Sequence, residues 1–425
     1  MEGGTGHTVG ESITPAAVAA QAGHRGRGDE FRLAADDPPT PRWLPPHDHR
    51  RMPDHLPRIA IDLEKLRHIN CGLGRFCLNL SRELLDLAPG RFEPVFFLSP
   101  GTDQHLPPSG YDQLAVSPWK KEAIVRRLRP LLRPFRRNRT LDLWHVTHQL
   151  AKYLPIDDRV PVVLTIHDLT FLHETPHDEH LPRIERKLAD IQAKVHRAAA
   201  IVTDSQYVAD DVKTHLDVGD RPVHVVHLGI PSPPTASAAR PSYLPDGPFV
   251  LTVGNCLPHK NFHVLLDLID RLPGRRLVIA GKNATPYGSY LSREIARRGL
   301  DGRITMPGEV SDADRQWLYE HCEAFLFPSL TEGFGFPVLE AMQCGKPAFL
   351  SRMTCLPEIA GRHAFYFDSF DAAVMAAAYE AGFAAFRADP SFADRARAHV
   401  EQFSWAETAR GYLRVYESVL GRIQG

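Results

Sequence analysis

The chain has 425 residues, with 50 Lys and Arg against 51 Asp and Glu, and a formal net charge of −1. That length suits two domains of about 100–200 residues each. The balanced charge excludes a global field that would draw the chain to nucleic acid, so any electrostatic contact with a polyanion must come from a local patch. The six cysteines, Cys71, Cys77, Cys256, Cys322, Cys344 and Cys355, never fall as Cys-x-x-Cys. This argues against a disulfide framework or a zinc knuckle and suits a reducing, cytoplasmic setting. No apolar run reaches bilayer length, and no signal-peptide pattern opens the sequence.

Residues 1–55 are rich in Gly, Ala, Pro, His and charge without periodicity, and read as a disordered tail. An N-terminal domain is expected over residues 56–235. It begins with a strand at 58–63, then a glycine turn, Gly72-Leu-Gly74, then a helix whose Phe76, Leu80, Leu84 and Leu87 recur at helical spacing. Further strands are expected at 94–98, 142–146, 160–166, 200–203 and 223–228. Six prolines between residues 231 and 248 mark a linker, placed at 236–247. A C-terminal domain over 248–403 repeats the pattern, with strands at 249–253, 276–280, 303–306, 324–327 and 347–350. Phe262, Leu265, Leu266 and Ile269 form one apolar helical stripe there. Residues 404–425 read as a last helix that packs back toward the N-terminal domain. Strand–helix alternation on this scale gives an α/β fold of two Rossmann-like doubly wound domains facing across a cleft. Ligands in such sheets bind beyond the carboxyl ends of the strands, so a two-sheet cleft suits a bipartite ligand.

The most informative segment runs from Pro328 through Glu332-Gly-Phe-Gly-Phe-Pro-Val-Leu-Glu340 to Gly345. It follows a strand and carries a glycine-bearing loop. Pro337 is expected at the first helical position and Gly345 just past the helix end. Such a loop delivers backbone N–H groups and a helix N-terminus to one point, which suits a diphosphate. Glu332 in the loop and Glu340 on the first helical turn are repelled by phosphate, so vicinal hydroxyls are their natural partners. Glu332 would meet a sugar ring and Glu340 a ribose.

This Glu-x7-Glu block resembles the signature of the family-four retaining glycosyltransferases of GT-B fold, and looks most like bacterial mannosyltransferases. The likeness extends to Leu356-Pro-Glu-Ile-Ala-Gly361, Val253-Gly-Asn-Cys-Leu-Pro-His-Lys-Asn261, Gly72-Leu-Gly-Arg-Phe76, Thr165-Ile-His-Asp-Leu169 and Thr203-Asp-Ser205, and spans residues 58–420. It implies a nucleotide-sugar donor, GDP-mannose as first choice, and a glycan or lipid-linked acceptor of surface polysaccharide synthesis. It implies no metal and no cofactor. His167 and Glu332 would act at the donor sugar, and Glu340 would hold the ribose. Lys260 and the backbone N–H groups of Gly333, Phe334, Gly335 and Phe336 would hold the diphosphate. The Gly72-Leu-Gly74 loop would close on it. Many relatives place an arginine a few residues before the lysine. Here Asn255-Cys-Leu257 stands instead, so the second charge falls to Arg75 or Lys282, or phosphate binding is weaker.

Three other segments carry motif-like patterns. His173-Glu-Thr-Pro-His177 matches a zinc string, but Pro176 breaks the helix that zinc ligation needs. Asp312-Ala-Asp314 is better explained by a helix N-cap at Ser311 or Asp312. The basic, apolar-interleaved stretch 119–139 reads first as a solvated face and second as a peripheral contact with an anionic membrane. Competing functions are a sugar-nucleotide epimerase or phosphorylase of the same architecture, and a non-catalytic scaffold.

Overall fold

The computed structural model describes residues 55–69, 71–116, 141–173, 181–231, 239–244 and 246–424. Residues 1–54 of the expected tail, the basic stretch at 119–139, and residues 236–238 and 245 of the expected linker lie outside the described residues.

Short apolar runs build the first sheet. Its strands are β1 (Arg58–Asp62), β2 (Glu93–Leu98), β3 (Asp112–Ala115), β4 (Leu143–Val146), β5 (Val162–Ile166), β6 (Ala200–Thr203) and β7 (Val223–Val225). They pair in parallel in the order β3-β2-β1-β4-β5-β6-β7. The central strands β4, β5 and β6 are buried at every position, as a parallel sheet covered on both faces requires. Helices α1 (Gly72–Leu87), α2 (Leu181–Arg197) and α3 (Gln206–His215) lie among them. Phe76, Leu80 and Leu84 form the buried stripe of α1.

The second sheet holds β8 (Phe249–Val253), β9 (Arg276–Ala280), β10 (Ile304–Gly308), β11 (Ala324–Phe327), β12 (Ala348–Ser351) and β13 (Phe365–Phe367), in the order β10-β9-β8-β11-β12-β13. Its helices are α4 (His263–Arg271), α5 (Pro286–Arg297), α6 (Asp312–His321), α7 (Phe336–Gln343), α8 (Leu356–Ala360), α9 (Ala372–Ala388) and α10 (Phe392–Val400). In each sheet the strand order reverses once, between β1 and β4 and between β8 and β11. Those two points are where doubly wound sheets take ligands.

The sequence pattern passed over β3 and β13. The former is a polar edge strand, largely exposed; the latter is three residues long. The final helix α11 (Trp405–Gln424) leaves the second domain and packs on α1 of the first. Tyr416 OH bonds His145 Nδ1 at 2.8 Å, His145 Nε2 bonds Thr165 Oγ1 at 2.8 Å, and Thr165 Oγ1 bonds Tyr412 OH at 2.9 Å. All four side chains are buried, so this fully bonded polar chain fixes the helix in one register. At the crossing from one domain to the other, Ile230 N–H donates to Phe403 O at 3.0 Å. A Cβ on Gly229 would lie 2.1 Å from Trp405 N.

Candidate active site

The second sheet's switch point gathers two loops. After β8, residues Pro258–Lys260 form one 3-10 turn that ends at Asn261 with φ 58°. Asparagine tolerates that left-handed conformation better than most side chains. After β11, Leu330 N–H donates to His259 O at 2.7 Å and Ser329 Oγ donates to the same oxygen at 3.2 Å. These bonds hold the loops together and bring Lys260 Nζ to 2.6 Å from Glu332 Oε1. The two side chains are only 13% and 12% exposed. Lys260 also sits over the Phe327 ring, 5.2 Å from its centroid. The sequence assigned these residues to different ligand groups; without a ligand each is the other's counterion.

The glycine-bearing loop ends at Gly335, φ 100°, which is the N-cap of α7 and offers no side-chain cap. Phe336 opens the helix, so Pro337 is its second residue rather than its first, and Glu340 begins the second turn rather than lying on the first. Gly345 follows the C-cap with φ 70°, as its helix-end position requires. Tyr319 OH donates to Glu340 Oε2 at 2.8 Å, and Arg315 Nε lies 3.9 Å from the same oxygen. Burial and the neighbouring Glu340 push the Tyr319 hydroxyl well above its ordinary range, so it stays a donor.

Sequence reading passed over Tyr319 and Arg315. The signal was available: Asp312, Arg315 and Tyr319 share one face of α6 at helical spacing. Ser311 caps that helix, its Oγ accepting from Asp314 N–H at 3.0 Å. Asp312 is therefore free to reach Arg75 of the first domain, whose Nη2 lies 2.7 and 2.9 Å from its two oxygens. Burial would raise the Asp312 carboxyl, but Arg75 and Arg315 outweigh it and hold the group below its ordinary value. Of the two expected second cations, Arg75 is thus engaged across the cleft, and Lys282 is exposed beyond β9.

On the first domain's side the structure corrects the placement of the glycine turn. Gly72 and Gly74 are not a loop before the helix but the first turn of α1, with Cys71 as N-cap. Gly72 faces open space, whereas a Cβ on Gly74 would lie 2.2 Å from His68 O. Gly74 therefore serves packing within its own domain. His167 is 7% exposed. Its Nδ1 bonds Asp204 Oδ2 at 2.7 Å and its Nε2 bonds Thr147 O at 2.9 Å. Burial alone would lower the imidazole pKa, but the Asp204 carboxylate raises it. Both ring nitrogens are thus engaged inside the first domain. The His167 carbonyl approaches the glycine-bearing loop, since a Cβ on Gly333 would lie 2.3 Å from that oxygen.

Asp62 was also passed over, although an acid closing the apolar run Ile59-Ala-Ile61 at a switch point was a legible sign. It is buried, and burial pushes its carboxyl up to about 7 despite the Glu64 N–H it accepts. Its Oδ2 has no partner among the described residues.

Outside the cleft, His173 Nε2 bonds Asp211 at 2.9 and 3.0 Å. The rest of that zinc string lies outside the described residues. Among the described residues, no group of three or more His, Cys, Asp or Glu side chains is placed to hold a metal. No helix among them is long and apolar enough to cross a membrane.

Residues 71–232 match the family profile described as Glycosyltransferase Family 4, and residues 238–381 match that of Glycosyl transferases group 1. The chain is 29% identical over 286 residues to the serotype-specific mannosyltransferase WbdA of Escherichia coli, which takes in 61% of this chain and 34% of that one. It is 33% identical over 175 residues to the O-antigen chain mannosyltransferase B of Escherichia coli, 38% of this chain and 40% of that one. The chain therefore spans well under half the length of either relative. Its fold matches that of sucrose-phosphate synthase from Thermosynechococcus elongatus with a TM-score of 0.66, 16% identity, and coverage of 86% and 100% of the two chains.

Proposed function

Because the chain belongs to the glycosyltransferases of group 1 and family four, we propose that it transfers a hexose from a nucleotide sugar to a glycan or lipid-linked acceptor in surface polysaccharide synthesis. Mannose from GDP-mannose is the donor this reading favours, supported by the likeness to two proteins named as mannosyltransferases. The observation that carries the reading is the Lys260–Glu332 pair, set at a switch point beside the uncapped N-terminus of α7.

The chemistry follows from charge balance. An entering diphosphate takes Lys260 as its counterion, and Glu332, released, turns to the hydroxyls of the sugar. The exchange leaves no buried charge alone, which would otherwise be costly. Glu340, already oriented by Tyr319 and Arg315, takes the ribose hydroxyls. As the bond from the anomeric carbon to phosphate breaks, negative charge grows on the leaving diphosphate. Lys260, the backbone N–H groups of residues 333–336 and the α7 N-terminus are fixed in place to stabilise it. In this reading these groups do the work without a metal ion. The acceptor oxygen attacks from the face the diphosphate leaves, its proton passes to that diphosphate, and configuration is retained.

Thermal-shift binding against a panel of nucleotides and nucleotide sugars, with and without EDTA, tests this. A stabilising nucleoside diphosphate that survives EDTA is expected. No shift with any nucleotide would count against a donor site and favour a scaffold. The basic stretch 119–139 is read first as a solvated face; contact with an anionic membrane is its second reading, and failure to co-sediment with anionic vesicles at low salt removes it.

A further inference from the structure

Glu332 is held from behind by a segment that also reaches across the cleft. Its backbone N–H donates to Thr354 Oγ1 at 3.2 Å, and Cys355 Sγ–H donates to its carbonyl at 3.3 Å. Thr354 has φ 52°, a left-handed conformation that a β-branched residue adopts only when its surroundings impose it. Three and four residues later along the chain is Glu358, on α8. Its Oε1 accepts Gln206 N–H at 2.8 Å and its Oε2 accepts Tyr207 N–H at 3.1 Å. His227 Nε2 lies 2.8 Å from Oε1. All three partners belong to the first domain. Gln206 and Tyr207 open α3, so the carboxylate sits at the positive end of that helix. The α3 N-cap, Ser205, sends its hydroxyl to Gly333 O at 2.9 Å, one residue past Glu332. Burial acts to raise the Glu358 carboxyl, but His227 and the two N–H groups outweigh it and hold it below its ordinary value.

We infer that Glu358 is a positioning residue for transfer: seated on the α3 N-terminus, it draws the two domains together and, through Thr354 and Cys355, sets the backbone of Glu332. The inference rests on the reading of Glu332 as the donor-sugar residue. It explains why a strained threonine stands where glycine would be free of strain. Its hydroxyl is needed for the Glu332 N–H, and the bonds made by Glu358 keep the segment in that conformation. When the cleft opens, Glu358 loses all three partners together and Glu332 loses its alignment. Glu358 itself touches neither donor nor acceptor.

The test compares the full chain with Glu358→Ala and with the isosteric Glu358→Gln, which serves if alanine does not fold. GDP and UDP affinity is measured by calorimetry, kcat and donor KM by transfer assay, and radius of gyration by small-angle scattering. Nucleotide affinity is expected to stay within about twofold, while kcat falls about ten- to hundredfold, as misplacement of a reacting group by an ångström does. The radius of gyration of the free protein is expected to rise, and the glutamine variant should fall between the other two. A wild-type kcat in both variants overturns the inference. So does a loss of kcat matched by an equal loss of nucleotide affinity, or one with no change in radius. If the wild-type chain transfers no sugar at all, the functional reading fails by itself, and an unchanged radius still sinks the cross-cleft role of Glu358.

Discussion

Gly333→Ala leaves every donor-loop N–H in place and adds a single methyl group. Gly333 does not have a positive φ among those found, so alanine meets no backbone strain there. The methyl carbon would lie 2.3 Å from His167 O, 3.0 Å from Asp168 Cβ and 3.3 Å from His167 C. An ordinary contact begins at about 3.4 Å, so the two sides must part by about 1 Å. Two of the three opposing atoms are backbone just beyond β5 and cannot swing aside as a long side chain would. The remaining relief is separation of the domains. Overpacking of this kind costs about 1–3 kcal/mol, which lowers the closed-to-open ratio by about five- to 150-fold. The expected result is a kcat lowered within that range at saturating donor and acceptor, with nucleotide affinity by calorimetry nearly unchanged and thermal midpoint within a few degrees. A kcat within twofold of wild type refutes the reasoning, because it means that the carbonyl of His167 and residue 333 need not approach for transfer.

Lys260→Met and Glu332→Gln should each abolish most transfer and also lower stability, since each leaves a largely buried polar partner unmatched. The double variant should recover stability in urea unfolding but not transfer; recovery of both would show the pair to be structural only. Tyr319→Phe should weaken nucleoside diphosphate binding about tenfold by removing the hydroxyl that fixes Glu340, with kcat little changed; equal affinity in calorimetry counts against Glu340 as the ribose ligand. His145 gives a pH prediction. Burial lowers its imidazole from the ordinary 6.5 to about 3, with His167 adding to the effect. Between those values the unfolded chain binds a proton that the folded chain does not, so stability present above 6.5 is lost as pH falls toward 3. The loss reaches about 1.4 kcal/mol per pH unit. Urea unfolding at pH 7.5 and 5.0 should show wild type losing about 2 kcal/mol more than His145→Asn; equal losses would place this titration elsewhere.

The alternation of apolar strands and amphipathic helices was legible because parallel sheets bury both faces, and β6, β8, β9 and β11 fall where their runs predict. Of the strands that escaped notice, β3 is half polar and largely exposed and β13 is only three residues long, too little to show a period. At the site, the glycine-bearing loop and its helix could be read from Gly335, Pro337 and Gly345, with Pro337 misplaced by one residue. Long-range pairing was not legible. Lys260 and Glu332 are far apart in sequence, and nothing local says that one neutralises the other. The same holds for Arg75 with Asp312, and for the burial that turns the His167 ring inward while its carbonyl faces Gly333. Glu358 lay within a recognised motif, yet its partners come from another domain, and only the fold brings them near.

The chain passes between its two domains twice, once near Gly229 and once near Phe403, and the two passages are hydrogen-bonded side by side from Ile230 N–H to Phe403 O at 3.0 Å. They therefore act as one pivot rather than as two separate straps. Gly229 is the bearing surface of that pivot, because any side chain there would strike the backbone at Ser404 and Trp405. A body turning about a single doubled strand has few ways to move, and its swing is largest far from the pivot. Since α11 returns the end of the chain to the first domain, a protease cut within the proline-rich connection would sever one strand of the pivot and leave the other. The two fragments should then stay associated, so that the connection sets the axis of motion without being what keeps the halves together.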